Sequence, residues 1–254
     1  MSSSRNRQPD HPQDAGSAES AETLAETEQE AGEETETTAQ ASEPSTVAKT
    51  PEAPQEAQQP ERDPNEGLSR IAQHHFAAAT AALTLFGAGD LWAIESGLFL
   101  AGFVSIANGI IAGYVLAYLA HEWGHFTGAR FANARSPVLK QTRQFFFMFE
   151  FDMARNSVSQ FLSMSRGGPA ANWLLALTLW TILPGNTAGQ AMLVAASTAI
   201  AISVSVFEVP IIRRVQAGGD PGTELRQQLE RGVLTTGRNI GIAAGAVLFL
   251  ILLP

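Results

Sequence analysis

The sequence predicts an all-α polytopic membrane protein that is preceded by a disordered acidic tail. Two kinds of segment carry this prediction. The first 66 residues are acidic and almost free of large apolar side chains, whereas residues 96–120 and 167–207 contain no charged side chain. The net charge of −9 and the mean hydropathy of +0.01 conceal this division, because each averages two unlike parts of the chain.

Residues 1–66 form the predicted tail. They carry 16 acidic and four basic side chains, and no aromatic residue precedes Phe76. Ala, Glu, Ser, Thr, Gln and Pro dominate, so the segment cannot bury enough apolar surface to offset the entropy of ordering it. It also lacks the apolar stretch of a signal peptide. We therefore predict a disordered tail over 1–66 and a transmembrane domain over 67–254.

The apolar segments that follow predict about five transmembrane helices, or four with one interfacial helix. A helix of about 20 apolar residues crosses the hydrocarbon core of a bilayer. Residues 96–120 supply one such span, and 167–207 supply two spans that are separated by a turn at 184–186. The run 240–253 supplies the last span, and the weaker, Ala-rich run 71–88 supplies the first.

Basic residues are confined to two of the predicted loops. The loops 89–95 and 185–189 contain no Lys or Arg, whereas the loops after the second and fourth spans are rich in Arg. Loops with an excess of Lys and Arg stay on the cytoplasmic side of a membrane. We therefore expect the two basic loops in the cytoplasm, together with the tail if the first segment spans. The acidic net charge argues against a nucleic-acid partner.

The second span ends in the motif His121-Glu122-Trp123-Gly124-His125. Two His residues four apart share one face of a helix and can bind one metal ion, with Glu122 beside it as a general base. Zn²⁺ lowers the pKa of a bound water to about 7, which suits peptide hydrolysis. Ionisable groups at the edge of a span are costly, which favours a functional role. The chain has no Cys, so zinc would need His and carboxylate ligands.

Two elements of the chain resemble those of the site-2 protease family of intramembrane zinc metalloproteases. The first is the motif above, continued by Phe126 and by Ala129-Arg130. The second is similar to the family's Gly-Pro-x-Ala-Asn motif and reads Gly168-Pro169-Ala170-Ala171-Asn172. The resemblance covers roughly residues 96–222.

This resemblance implies a zinc-dependent intramembrane endopeptidase with His121 and His125 as ligands and Glu122 as general base. It also implies that Asn172 faces the metal site and helps to hold the substrate peptide group. From the residues alone, Asn172 could equally make an interhelical hydrogen bond, and Gly168-Pro169 is a favourable start for a helix. The implied substrate is a single-span membrane protein. With the short loops, the resemblance favours a prokaryotic inner membrane and an active site near the cytoplasmic side.

The third zinc ligand has two candidates. A catalytic zinc normally has three protein ligands, and the resembled family takes its third from a Leu-Asp-Gly element that this sequence lacks. Asp220 has glycine neighbours that allow a close backbone approach, so we assign it as the third ligand, with Glu208 as the alternative. Without a metal, Asp220 would be a turn residue and Glu208 would pair with Arg213 or Arg214.

The loop between the two motifs is strongly aromatic over residues 144–153. The side chains on one face would be Phe147, Phe149, Phe151 and Met153, and they alternate with Glu150 and Asp152 further along the segment. This period of two predicts a strand with one apolar face in a short β-hairpin. The exposed edge of this strand could receive an unwound substrate segment by strand addition. Alternatively, the hairpin could simply lie in the membrane interface.

Two further functions stay open at the level of the sequence. The missing Leu-Asp-Gly element leaves room for an inactive pseudoprotease that binds membrane helices as a chaperone or regulator. The His pair and Glu208 would also suit a small membrane transporter that handles protons or metal ions.

Overall fold

Six helices contain 79% of the residues that the computed structural model describes, which are 63, 65–139 and 146–254. In chain order they are α1 (Leu68–Ser96), α2 (Phe99–Phe131), α3 (Val158–Ile182), α4 (Ala188–Gln216), α5 (Pro221–Glu230) and α6 (Val233–Leu252). The described residues contain no strand. The helical fold is therefore confirmed. Nearly all of the predicted tail, 1–66, lies outside the described residues.

Four helices, α1, α2, α4 and α6, are long and apolar enough to cross a membrane, which indicates a membrane-embedded protein. The helix α3 has 25 residues but is not among the four. Its first nine residues contain four polar side chains and Arg166, and its uncharged remainder, 167–182, is shorter than a full span. The predicted count of five spans is therefore not confirmed.

The predicted loop at 89–95 is wrong, because α1 continues without a break to Ser96. Only Gly97 and Leu98 separate α1 from α2, and Gly97 ends α1 in the left-handed conformation with φ of 60°. The predicted turn at 184–186 does lie between two helices, α3 and α4. The final span begins earlier than predicted, at Val233.

A buried carboxylate explains why α1 stays helical through the predicted loop. Asp90 is 6% exposed, and its Oδ1 accepts hydrogen bonds from Ser105 Oγ at 2.8 Å and from Thr187 Oγ1 at 2.6 Å. Its Oδ2 accepts a third bond from Gln190 Nε2 at 2.9 Å. Because these donors belong to α2 and to the start of α4, Asp90 joins three helices at one end of the bundle.

Replacing Asp90 with asparagine is expected to destabilise the bundle by about 1–3 kcal/mol, because the new amide N–H group would face hydroxyl and amide donors. Reversible unfolding in mixed micelles measures this loss. Glu95→Gln is the matched control, since Glu95 is exposed in the last turn of the same helix. Equal stability of Asp90→Asn and Glu95→Gln would contradict a structural role for the carboxylate.

Small residues bring the helices close together around α2, which packs against α1, α3 and α4. A methyl group added to Gly109 would lie 2.7 Å from the carbonyl oxygen of Gly189 in α4. The helix α6 packs on α4 in the same way, since a methyl group on Gly237 would lie 2.8 Å from the carbonyl oxygen of Ser203. Such close backbone approach is typical of helices packed in a membrane.

The segment between α2 and α3 contains an isolated antiparallel bridge between Val138 and Phe149. Leu139 N donates to the carbonyl of Met148 at 2.9 Å, and Glu150 N donates to that of Pro137 at 3.0 Å. The predicted β-hairpin is not confirmed, and residues 140–145 lie outside the described part. The predicted apolar face also differs, because Met148 is fully buried whereas Phe147 is 48% exposed.

Candidate metal centre

The helix α2 places the two His side chains on one face, as their spacing predicts. His121 Nε2 and His125 Nε2 lie 3.0 Å apart, and the two rings are nearly perpendicular at 78°. The motif does not end the helix, because α2 continues to Phe131. Both rings are partly buried, with side-chain exposures of 14% for His121 and 13% for His125.

Glu208 of α4 completes a group of three possible ligands. Its Oε1 lies 3.1 Å from His121 Nε2 and 3.3 Å from His125 Nε2. Over residues 63, 65–139 and 146–254, this is the group whose His and carboxylate atoms converge closely enough to hold one metal ion. Two imidazoles and one glutamate form a known catalytic zinc ligand set, which leaves a fourth position for water or substrate.

Asp220, our first choice for the third ligand, does not lie with the His pair. It is the N-cap of α5, where its Oδ1 accepts a hydrogen bond from Thr223 N at 2.8 Å. This interaction with Thr223 lowers the pKa of Asp220 below its usual value. The glycines before Asp220 form the turn between α4 and α5. This turn does not bring the Asp220 carboxylate to the His pair of α2.

Glu208 also does not pair with either of the arginines that follow it. Arg214 instead contacts Glu224 of α5, with 2.7 Å between Nε and Oε2, and it donates from a terminal nitrogen to Gln228 Oε1. The helix α5 is thereby attached to the end of α4. The Glu208 carboxylate is left to face α2.

Neighbouring groups of α3 orient both imidazoles. His125 Nδ1 lies 2.8 Å from the carbonyl oxygen of Met164, an acceptor that places the ring proton on Nδ1 and leaves Nε2 free for a metal. Asn172 is 1% exposed, and its Nδ2 lies 3.3 Å from His121 Nδ1. If Oδ1 and Nδ2 of Asn172 exchange positions, Oδ1 would accept a hydrogen bond from a protonated Nδ1 of His121. This would orient the ring as the Met164 carbonyl orients that of His125.

Two buried oxygen atoms at this centre have no hydrogen-bond partner among the described residues, Asn172 Oδ1 and Glu208 Oε2. Buried polar atoms without partners are rare in folded proteins and require an explanation. A metal ion on Glu208, together with a protonated Nδ1 on His121 facing Asn172, would satisfy both oxygen atoms. The residues present therefore fit a bound zinc ion.

Glu122 lies beside the three possible ligands and is not one of them. It is 4% exposed, and the backbone of Met148 is within hydrogen-bonding reach of its carboxylate. It follows His121 by one residue and so projects about 100° further around α2. That position suits a group that exchanges protons next to the metal rather than one that binds it.

Gly168 and Pro169 have a different role from the predicted helix start. The helix α3 begins ten residues earlier, where Ser157 and Gln160 form a capping box, and Pro169 lies inside the helix. A methyl group on Gly168 would lie 2.5 Å from His125 Nε2 and 2.6 Å from His121 Cε1. Gly168 therefore leaves the space that the imidazole rings occupy.

The structure thus brings together His121, Glu122, His125 and Asn172 with Glu208, and it leaves Asp220 outside the group. The signal for Glu208 was present in the sequence, since a carboxylate that closes a long uncharged stretch requires a partner. The steric role of Gly168 had no such signal. The chain matches no protein-family model, no curated protein and no solved structure.

Proposed function

We propose that this protein is a zinc-dependent intramembrane endopeptidase of the site-2 protease type. The observation that carries the proposal is the convergence of His121, His125 and Glu208 from two apolar helices, with Glu122 beside them. The substrate would be a transmembrane segment of a single-span membrane protein. The positive charge of the loops after α2 and α4 favours a site near the cytoplasmic side of a prokaryotic inner membrane.

In this proposal His121, His125 and Glu208 hold the metal. When bound, zinc lowers the pKa of a water molecule to about 7 and polarises a carbonyl group. Glu122 accepts the proton that the water loses as its oxygen bonds to the peptide carbon. The same carboxyl group returns the proton to the amine nitrogen as the C–N bond breaks, so water is consumed and two chain ends form.

Asn172 acts in this scheme as a positioning residue. Its amide faces His121, and almost none of its surface is accessible to a substrate. It therefore fixes the ring of His121 for metal binding, and its contact with the substrate peptide group stays a prediction. Met164 does the same for His125 through its carbonyl oxygen.

Replacing Glu122 with glutamine tests the proposal, because the amide keeps the shape of the side chain and loses its capacity to accept a proton. In liposomes, the full chain is expected to cleave a single-span test substrate, and Glu122→Gln is expected to lower the rate by about 10²–10⁴-fold. Metal analysis should find the same zinc content in both proteins.

Equal cleavage by the native protein and by Glu122→Gln would contradict the role of Glu122. A native protein that binds zinc but cleaves no substrate would instead favour a pseudoprotease that binds membrane helices. Zinc that crosses the liposome membrane with the protein present would favour a transporter.

A further inference from the structure

The short helix α5 packs against the part of the bundle that supports the metal centre. Leu225 of α5 packs on a buried apolar cluster of α3 and α4, and Met164 and Phe207 pack on the same cluster. The carbonyl oxygen of Met164 faces His125, and Phe207 immediately precedes Glu208 in the chain. The helix α5 is therefore placed where its contacts can act on a metal ligand.

Gln228 of α5 is a buried polar side chain, 3% exposed, that joins α5 to α4. Its Nε2 donates to the carbonyl oxygen of Phe207 at 3.4 Å, and its Oε1 accepts a hydrogen bond from Arg214. A guanidinium group can only donate and a carbonyl oxygen can only accept, so the amide has a single orientation that satisfies both neighbours. Arg214 thus directs the amide N–H group of Gln228 towards Phe207.

The carbonyl group that Gln228 contacts belongs to the peptide unit that ends at the Cα atom of Glu208. A peptide unit is planar, and it contains the carbonyl of one residue together with the nitrogen and Cα of the next. A hydrogen bond to the oxygen of Phe207 therefore limits rotation of the plane that carries Glu208. Such a rotation would move the Glu208 carboxylate, whose Oε1 lies within 3.3 Å of both imidazole Nε2 atoms.

The turn of α4 that carries Glu208 is weakened by Pro210, which lies inside the helix two residues later. Proline has no N–H group, so it cannot donate to the carbonyl of Val206 four residues earlier, and its ring crowds that carbonyl. The turn 206–210 therefore lacks one of its own hydrogen bonds. A donor from another helix restores part of the constraint that the turn has lost.

We infer that Gln228 is a positioning residue for Glu208, which it holds in place for zinc through the carbonyl group of Phe207. This inference rests on the metal site of the proposed function and does not require that the protein cleaves a substrate. A ligand that is held in its binding position before the metal arrives loses less conformational freedom on binding, so the affinity is higher.

The contact lies at the opposite end of α5 from the helix cap. Asp220 caps the first turn and precedes Gln228 by eight residues. The ion pair between Arg214 and Glu224 and the packing of Leu225 hold α5 on α4 independently of that cap. Asp220→Ala is therefore expected to leave Gln228 in position.

Gln228→Glu tests this inference, since it removes the donor to Phe207 and keeps the acceptor for Arg214. Competition with a chelator measures the zinc affinity of the full chain, which we expect to fall by about 10-fold, because the contact acts on the backbone of the ligand. Gln228→Met also lacks the donor, adds no charge and should lose a similar amount. Gln227→Glu is the matched control, as it makes the same change of charge at a partly exposed neighbour on α5.

A second measurement reports on the geometry of the ligands rather than on affinity. Co²⁺ that replaces Zn²⁺ absorbs visible light in a way that depends on the number and arrangement of its ligands. The cobalt spectrum is expected to change in Gln228→Glu and in Gln228→Met and to match that of the native protein in Gln227→Glu. Limited proteolysis at the turn 217–220 checks that α5 stays packed on α4 in each variant.

The outcomes separate this inference from the proposed function. Native zinc affinity in Gln228→Glu and Gln228→Met, or an equal loss in Gln227→Glu, would overturn the role of Gln228 alone. Faster proteolysis at the turn 217–220 in the Gln228 variants would assign their loss of zinc to release of α5 and would also overturn that role. A native protein that binds no zinc would overturn both, whereas one that binds zinc and cleaves no substrate would overturn the proposed function alone.

Discussion

Replacing Glu208 with alanine is expected to abolish stable zinc binding, whereas Asp220→Ala should bind zinc like the native protein. Glu208 Oε1 lies within 3.3 Å of both imidazole Nε2 atoms, and Asp220 is engaged as a helix cap. Loss of a group that only orients a ligand already costs about 10–100-fold in metal affinity, so loss of a ligand should cost more. Competition with a chelator and metal analysis of the purified proteins measure the difference.

Glu208→Asp refines this experiment. The shorter side chain keeps the charge but moves the carboxylate back towards α4, so we expect an affinity between those of the native protein and Glu208→Ala. Unfolding in mixed micelles checks that each variant is folded. Zinc retained in Glu208→Ala but lost in Asp220→Ala would restore Asp220 as the third ligand.

Gly168→Ala is expected to prevent zinc binding although it adds a single methyl group. The new Cβ would lie 2.5 Å from His125 Nε2 and 2.6 Å from Cε1 of both imidazoles. The helix α3 cannot move away easily, because it is locked to α2 where Gly124 and Gly167 meet backbone to backbone. The rings must therefore turn out of the positions in which their Nε2 atoms converge on Glu208.

Gly102→Ala separates this effect from a change in helix propensity. Gly102 lies within α2, and a methyl group there would have no heavy atom within 4 Å. Both substitutions should favour the helical state by about 0.5–1 kcal/mol, since alanine loses less backbone entropy than glycine. Zinc content is expected to fall only in Gly168→Ala. Native zinc content and cleavage in that variant would show that the imidazoles have more room than the structure gives them.

Much of the fold follows from properties that are local in the chain. Long uncharged stretches predict α2, α4 and α6 as helices that are able to cross a membrane, because the bilayer requires a continuous run of apolar side chains. The end of α1 was misplaced because Asp90 and Glu95 resemble loop residues in the sequence. Asp90 is compatible with a buried helix only through donors that other helices supply.

The sequence alone was sufficient to place His121 and His125 on one face of a helix with Glu122 beside them, since an α-helix fixes the positions of residues one turn apart whatever surrounds it. The carboxylate that lies beside the His pair was not determined in this way. Glu208 lies 83 residues beyond His125, and its approach depends on how closely α2 and α4 pack. Small residues along both helices set that distance. Only the tertiary structure could therefore show that Glu208, and not Asp220, lies beside the His pair, and why position 168 has no side chain.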